Sequence, residues 1–132
     1  ENSAMVTKGN IDLVTSVTGE KPSEVIFASG ASQSPLWCQI LADVLNIPVK
    51  VPVVKEATAL GAAILAGKGI GIYSDIEETV KKVVRIESVY YPNPENAKVY
   101  EGLYDDWRKI YAAQLKLADE KLTKNMWSAP GV

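Results

Sequence analysis

Three features of the sequence predict a parallel α/β domain. Segments with apolar residues at helical spacing alternate with short, continuous apolar runs of strand length, in the order helix, strand, helix, strand, helix. Proline and glycine punctuate the joins between them. A long amphipathic stretch then closes the chain. At 132 residues there is enough chain for one domain with a core and too little for two, and 47% hydrophobic with 23% charged residues is ordinary for a globular protein.

The first segment places Met5, Ile11, Val14 and Val17 at near-helical spacing and stops at Gly19, a fitting C-terminal cap. "PSEVIFAS" follows as an apolar run of strand length, so a strand is expected near Glu24–Ala28, buried on both faces. From Ser34 to Asn46, Leu36, Trp37, Ile40, Leu41, Val44 and Leu45 form a helical stripe, with Pro35 in the first turn, where its missing N–H costs nothing. "IPVKVPVV" alternates and is β-branched, predicting a second strand over Val49–Val53, with Pro52 at an edge or an end. "EATALGAAILAG" puts Ala57, Leu60, Gly61, Ile64 and Leu65 on one helix face, with Gly67 and Gly69 beyond its end. "SDIEETVKKVVRI" opens with Ser74 and Glu77 in capping-box spacing and buries Ile76, Val80, Val83 and Val84. After the extended "ESVYYP", a helix runs from Asn93 and Pro94 to about Leu122. Its core stripe is Val99, Leu103, Trp107, Ile110, Gln114 and Leu117, with Tyr100, Tyr104, Tyr111 and Leu115 beside it. The polar tail "TKNMWSAPGV" is expected to be loose.

Composition removes whole classes of chemistry. There is no histidine, which excludes Ser-His-Asp and Cys-His catalysis and histidine-based metal sites. Cys38 is alone, so no internal disulfide forms, and its apolar neighbours point to a buried, inert thiol in a reducing compartment. A net charge of −2 gives no general attraction to nucleic acid or to an anionic membrane. No apolar run approaches the ~20 residues of a membrane span and no signal-peptide pattern opens the chain, so a cytoplasmic protein is expected.

The stretch "FASGASQSPLW" is where strand gives way to helix through Ser29-Gly30-Ala31-Ser32. Such a junction gathers unpaired backbone N–H groups at a positive helix end, which suits an anionic ligand, and it serves equally as a tight turn. It lacks the lysine of a phosphate-binding P-loop and the spaced glycines of a dinucleotide fold. Trp37, the Tyr90-Tyr91 pair and Trp107 are read as core and as anchors of the last helix. Asp43, Asp75, Asp105 and Asp106 are the candidate bases by chemistry, and all four are read as solvated carboxylates; none is nominated as catalytic, and no metal ligand is proposed.

Two segments together, "FASGASQSPLWCQILADVLNIPV" and "VPVVKEATALGAAILAGKGIGIY", resemble the C-terminal region of the FGGY family of carbohydrate kinases. Within it, the run Lys55–Gly61 and the closing Trp127-Ser128-Ala129-Pro130-Gly131 are most similar to the branch acting on autoinducer-2. The resemblance implies a partial C-terminal lobe of the actin-like ATPase (ribonuclease H-like) fold over residues 1–132, with a long C-terminal helix. The N-terminal lobe and the start of this lobe would lie outside it. It implies ATP and Mg²⁺ as cofactors of the full-length enzyme, a small sugar-like substrate and a missing N-terminal lobe of the same protein as partner. Ser29, Gly30, Ala31 and Ser32 would then face the nucleotide, with Ser34 beside the adenine. The family pattern has Gly at the position of Ser29. Glu56 to Ala63 would be the helix at the hinge between lobes, where Gly61 and the alanines allow close contact.

The acceptor pocket, the phosphate-handling hairpins and the base have no counterpart in this chain, so alone it is expected to be inactive. Two alternatives stay open: a non-catalytic interaction domain of the same fold, or a kinase of another sugar such as xylulose, glycerol or gluconate. With only two expected strands the sheet is incomplete, and association of copies through an exposed edge is expected.

Overall fold

The computed structural model describes residues 1–123, leaving the Trp127–Gly131 motif and nearly all of the polar tail outside the described residues. Helix α1 (Asn2–Thr18) ends where Gly19 turns left-handed at φ 75° and donates its N–H to the Thr15 carbonyl, as the sequence predicts. Strand β1 (Val25–Ile26), helix α2 (Pro35–Leu45), strand β2 (Val49–Pro52) and helix α3 (Ala57–Gly69) follow in the expected order. Helix α4 (Ile76–Val83), strand β3 (Ile86–Tyr90) and helix α5 (Pro94–Asp119) are the remaining elements among the described residues.

The sheet has three strands in the order β1-β2-β3. β1 lies parallel to β2, pairing Val25 with Val49 and Ile26 with Lys50. β3 lies antiparallel to β2, pairing Tyr90 with Val49 and Ser88 with Val51. The register then steps by one, so that Ile86 meets Pro52 and Glu87 is the extra residue of a bulge. Pro52, with no N–H to give the ladder, sits at a strand end, but the strand it ends is the central one.

The core forms where α1, α2 and α5 pack together over β2. Ala4, Met5, Leu41, Ala42, Val44, Leu45, Val49 and Tyr104 are its buried members. Helices α3 and α4 pack on each other.

Several expectations shift. β1 is shorter than expected and is not buried on both faces: Ile26 is 58% exposed, because helices cover only one side of it. In α2, Leu36 and Trp37 are exposed in the first turn, and the Trp37 ring lies 6.5 Å from that of Phe27, which packs at the margin of the core. In α1, Val14 and Val17 are exposed, since α2 meets only the first turns. Helix α3 continues through Gly67 to Gly69 and buries Ile64 and Gly67 alone. Gly67 is required by packing: a Cβ there would lie 2.6 Å from the Tyr73 ring. The cap of α4 is Asp75, which accepts from the Glu78 N–H at 2.8 Å, one residue later than the capping box predicts, and Thr79 is its buried residue while Ile76 and Val80 are exposed. In α5 the contact stripe is Ala97, Tyr100, Tyr104 and Trp107, rotated from the aliphatic one, so Val99, Leu103 and Ile110 face outward. The tyrosines win that face because each finds a polar partner on α1 or its cap: Tyr104 donates to Asp12 at 2.7 Å and Tyr100 to Glu1 at 3.0 Å.

Candidate functional site: the Ser29–Ser34 junction

After β1 the chain does not enter α2 directly. Ser29 adopts φ 86°, ψ −178°, and a single 3-10 turn, Gly30–Gln33, then leads to Ser34. That backbone state belongs almost wholly to glycine. A serine held there implies that the surroundings impose the conformation.

Those surroundings are well defined. The Ser29 N–H donates to the Lys55 carbonyl at 2.8 Å, and the Ser29 carbonyl accepts from both the N–H and the Oγ of Ser32, at 3.1 and 2.7 Å. Ser32 is therefore buried with its hydroxyl turned inward, where it shapes the turn. The Cys38 thiol donates to the Ser32 carbonyl at 3.4 Å from below. Burial pushes that thiol above its ordinary range, against the smaller opposing effects of a backbone hydrogen bond and the Lys55 charge, which agrees with the inert cysteine expected. Ser34 caps α2 by accepting from the Trp37 N–H at 3.3 Å, leaving its own proton free to donate outward.

The outer side of the turn is open. The amides of Gly30 and Ala31 have no partner among the described residues, and a Cβ on Gly30 would meet nothing within 4 Å. Two unpaired donors on an exposed turn suit an anionic or polar group laid against the backbone. Ser29, Gly30, Ala31, Ser32 and Ser34 are thus brought together on one short ridge, four of them with a free polar group or open space and Ser32 as its prop.

Marked concavity lies elsewhere. A cleft of 330 Å³ opens between α1, α2 and α5 beside Lys8, Lys21 and Lys98, and one of 570 Å³ runs between α1 and α5 beside Tyr104, Trp107 and Tyr111.

The acidic candidates separate cleanly. Asp43 is not solvated: it is 2% exposed and accepts from the Asn93 N–H at 2.7 Å and from the side chains of Gln39 and Asn96, both at 2.8 Å. Such a carboxylate ties the middle of α2 to the start of α5, and its acceptor sites are occupied. Asp75 is the cap of α4, Asp105 is exposed, and Asp106 pairs with Lys109 at 2.8 Å on the surface. Among the described residues no group of three or more acidic, cysteine or histidine side chains is placed to hold a metal ion.

Lys55 carries no role of its own that is legible in the sequence, yet its carbonyl is the acceptor that fixes Ser29. The only trace in the sequence is a lysine two residues before a helix start and three after a strand-ending proline.

A parallel strand pair with a small-residue turn at its carboxyl end, followed by a capped helix, is a βα junction of an open α/β lobe, the end of the sheet at which such folds bind ligands. The model of the FGGY family of carbohydrate kinases, C-terminal domain, matches residues 1–70, and the chain belongs to that family. It is 48% identical over all 132 residues to an autoinducer-2 kinase of Photorhabdus laumondii and 47% identical to one of Yersinia pestis, covering 25% of each. The chain thus spans a quarter of the length of these relatives. Among solved structures, it superposes on xylulose kinase from Rhodospirillum rubrum with a TM-score of 0.68 and 29% identity, covering 87% of this chain and 23% of that one. The fold is therefore that of the C-terminal lobe of the FGGY kinases, in part, as the resemblance implied.

Proposed function

We infer that this chain forms the nucleotide-side C-terminal part of an ATP-dependent carbohydrate kinase whose acceptor is a small polyol-like molecule, the linear form of autoinducer-2. The observation that carries the reading is the 48% identity to an autoinducer-2 kinase along the whole chain, through α5 and beyond the family-model match. The intact protein would place its N-terminal lobe, with the acceptor pocket and base, against this part.

In that arrangement the Ser29–Ser34 ridge meets the nucleotide. The amides of Gly30 and Ala31 donate to it, the Ser34 hydroxyl reaches the adenine side, and Ser32 holds the turn from within. ATP supplies the γ-phosphoryl group. Of the carboxylates weighed as bases, Asp43, Asp75 and Asp106 are each engaged by partners of their own, and the acceptor's proton is assigned to a base in the rest of the protein. Mg²⁺ is likewise not held by any set of ligands among the described residues. No helix among those residues is long and apolar enough to cross a membrane. Phosphorylation in the cytoplasm would convert a neutral molecule into an anion that cannot leave.

The test is an ATP-coupled assay of the full-length protein on autoinducer-2, xylulose, glycerol and gluconate. Preferential turnover of autoinducer-2 is expected. Preference for another of the four would reassign the substrate within the family, and no ATP turnover with any would overturn the kinase reading.

A further inference from the structure

Lys55 is fastened at both ends. Its carbonyl accepts the Ser29 N–H at 2.8 Å and the Ala57 N–H at 2.9 Å, which joins the ridge to the first turn of α3. Its ammonium group donates to the Pro52 carbonyl at 2.6 Å and pairs with Glu87. The side chain of Lys55 is 18% exposed and that of Glu87 55%, so the pair is sheltered at its ammonium end and open to solvent at its carboxylate. Glu87 is the extra residue of the β3 bulge, the device by which a strand turns one side chain away from its alternating pattern.

We propose that Lys55 and Glu87 form a positioning latch that holds Ser29 in its glycine-like conformation and thereby sets the nucleotide ridge. The inference rests on the nucleotide reading of that ridge. A serine at φ 86°, ψ −178° would relax to an ordinary conformation if released, carrying the amides of Gly30 and Ala31 with it. What prevents release is the hydrogen bond to a carbonyl whose own residue is clamped between the end of β2 and the bulge of β3. Because the ridge binds the nucleotide before and during transfer alike, loosening it should raise KM for ATP and leave kcat nearly alone. The latch also predicts its own rescue. With glycine at position 29 the conformation needs no enforcement, so Ser29→Gly should suppress the effect of breaking the pair.

The experiment uses the full-length protein with Lys55→Met, the milder Glu87→Gln, the charge-preserving Lys55→Arg, and Lys55→Met combined with Ser29→Gly. ATP kinetics are measured on each, together with hydrogen exchange of the peptide spanning residues 27–37. Lys55→Met and Glu87→Gln should raise KM for ATP about fivefold, the upper range for a partly exposed pair. Their kcat should stay within about a factor of two of wild type. Lys55→Arg should behave as wild type, the double variant should recover most of the loss, and Ser29 should exchange faster in Lys55→Met. An active wild type with unchanged KM in both single variants would overturn the latch, as would a lowered melting temperature with unchanged KM and unchanged Ser29 exchange. A wild type that turns over no ATP would refute the kinase reading instead. In that case Ser29 exchange alone decides, faster exchange supporting the latch and unchanged exchange overturning it.

Discussion

Ser29 and Gly30 stand side by side and answer different questions. Ser29 occupies backbone space that costs a non-glycine residue about 1–3 kcal/mol, so Ser29→Gly should stabilise the fold by about 1 kcal/mol after the larger freedom of glycine in the unfolded chain is deducted. Thermal melting of the two proteins checks it, and a lower melting temperature in the glycine variant would mean that the Ser29 side chain itself contributes. Gly30 has ordinary φ and open space where a side chain would go. Gly30→Val should therefore leave stability within about 0.5 kcal/mol of wild type, as for a surface substitution away from special features. In the full-length enzyme it should raise KM for ATP by pushing the nucleotide from the backbone. Unaltered ATP dependence would return the junction to being a tight turn.

At the scale of elements, the join between α2 and α5 depends on one carboxylate. Asp43→Ala would leave the Asn93 N–H and the Asn96 amide without their acceptor inside the fold, would take from the Gln39 amide one of its two acceptors, the other being the Tyr91 carbonyl, and should cost about 3 kcal/mol. Asp43→Asn should cost less, since its carbonyl can still serve Gln39 and Asn93. Denaturant titration of both variants would show this order, and equal losses would argue against the hydrogen-bond account. The contact of α5 with α1 carries a pH signature. Burial first, and then the hydrogen bond to Asp12, push the Tyr104 hydroxyl up to about 12. The unfolded phenol titrates near 10, so the contribution is complete below about pH 10 and is lost as pH rises toward the folded value. Melting temperature should fall between pH 10 and 12, and Tyr104→Phe should flatten that fall. A Tyr104→Phe profile with the same slope would place the alkaline transition elsewhere.

For the whole molecule, the described residues supply a ridge of donors without the walls of a site. Interactions at an exposed helix end contribute about 0.3–1 kcal/mol each, against roughly 8 kcal/mol for micromolar affinity. The isolated chain should show no calorimetric ATP binding tighter than about millimolar, whereas the full-length protein should bind well below that. Micromolar binding by the isolated chain would show that the ridge is a more complete site than its geometry allows. Exposed Ile26 on the short edge strand, with Leu65, Ile70 and Ile72 on and after α3, leaves apolar surface open to solvent.

The order of the helices and of the first two strands, and the place of the junction, are written in local signals: helical spacing, a β-branched run and a proline in the first turn act before any contact forms. The sequence by itself also carried the family, through the two segments around Ser29 and Gly61. What the tertiary structure alone decided is which face of each helix is buried. The sequence offered α5 an aliphatic stripe and an aromatic one, and α1 selected the aromatic one by presenting Asp12 and Glu1 to its hydroxyls. The same holds for Asp43, whose charge suggested solvent until three donors, two of them from α5 and its cap some 50 residues onward, surrounded it. β3 was legible only as an extended segment, since a short run with one polar break becomes a strand when β2 offers it an edge. Lys55 gained its place last, from the meeting of β1, β2, β3 and α3, a coincidence of four elements that no local pattern encodes.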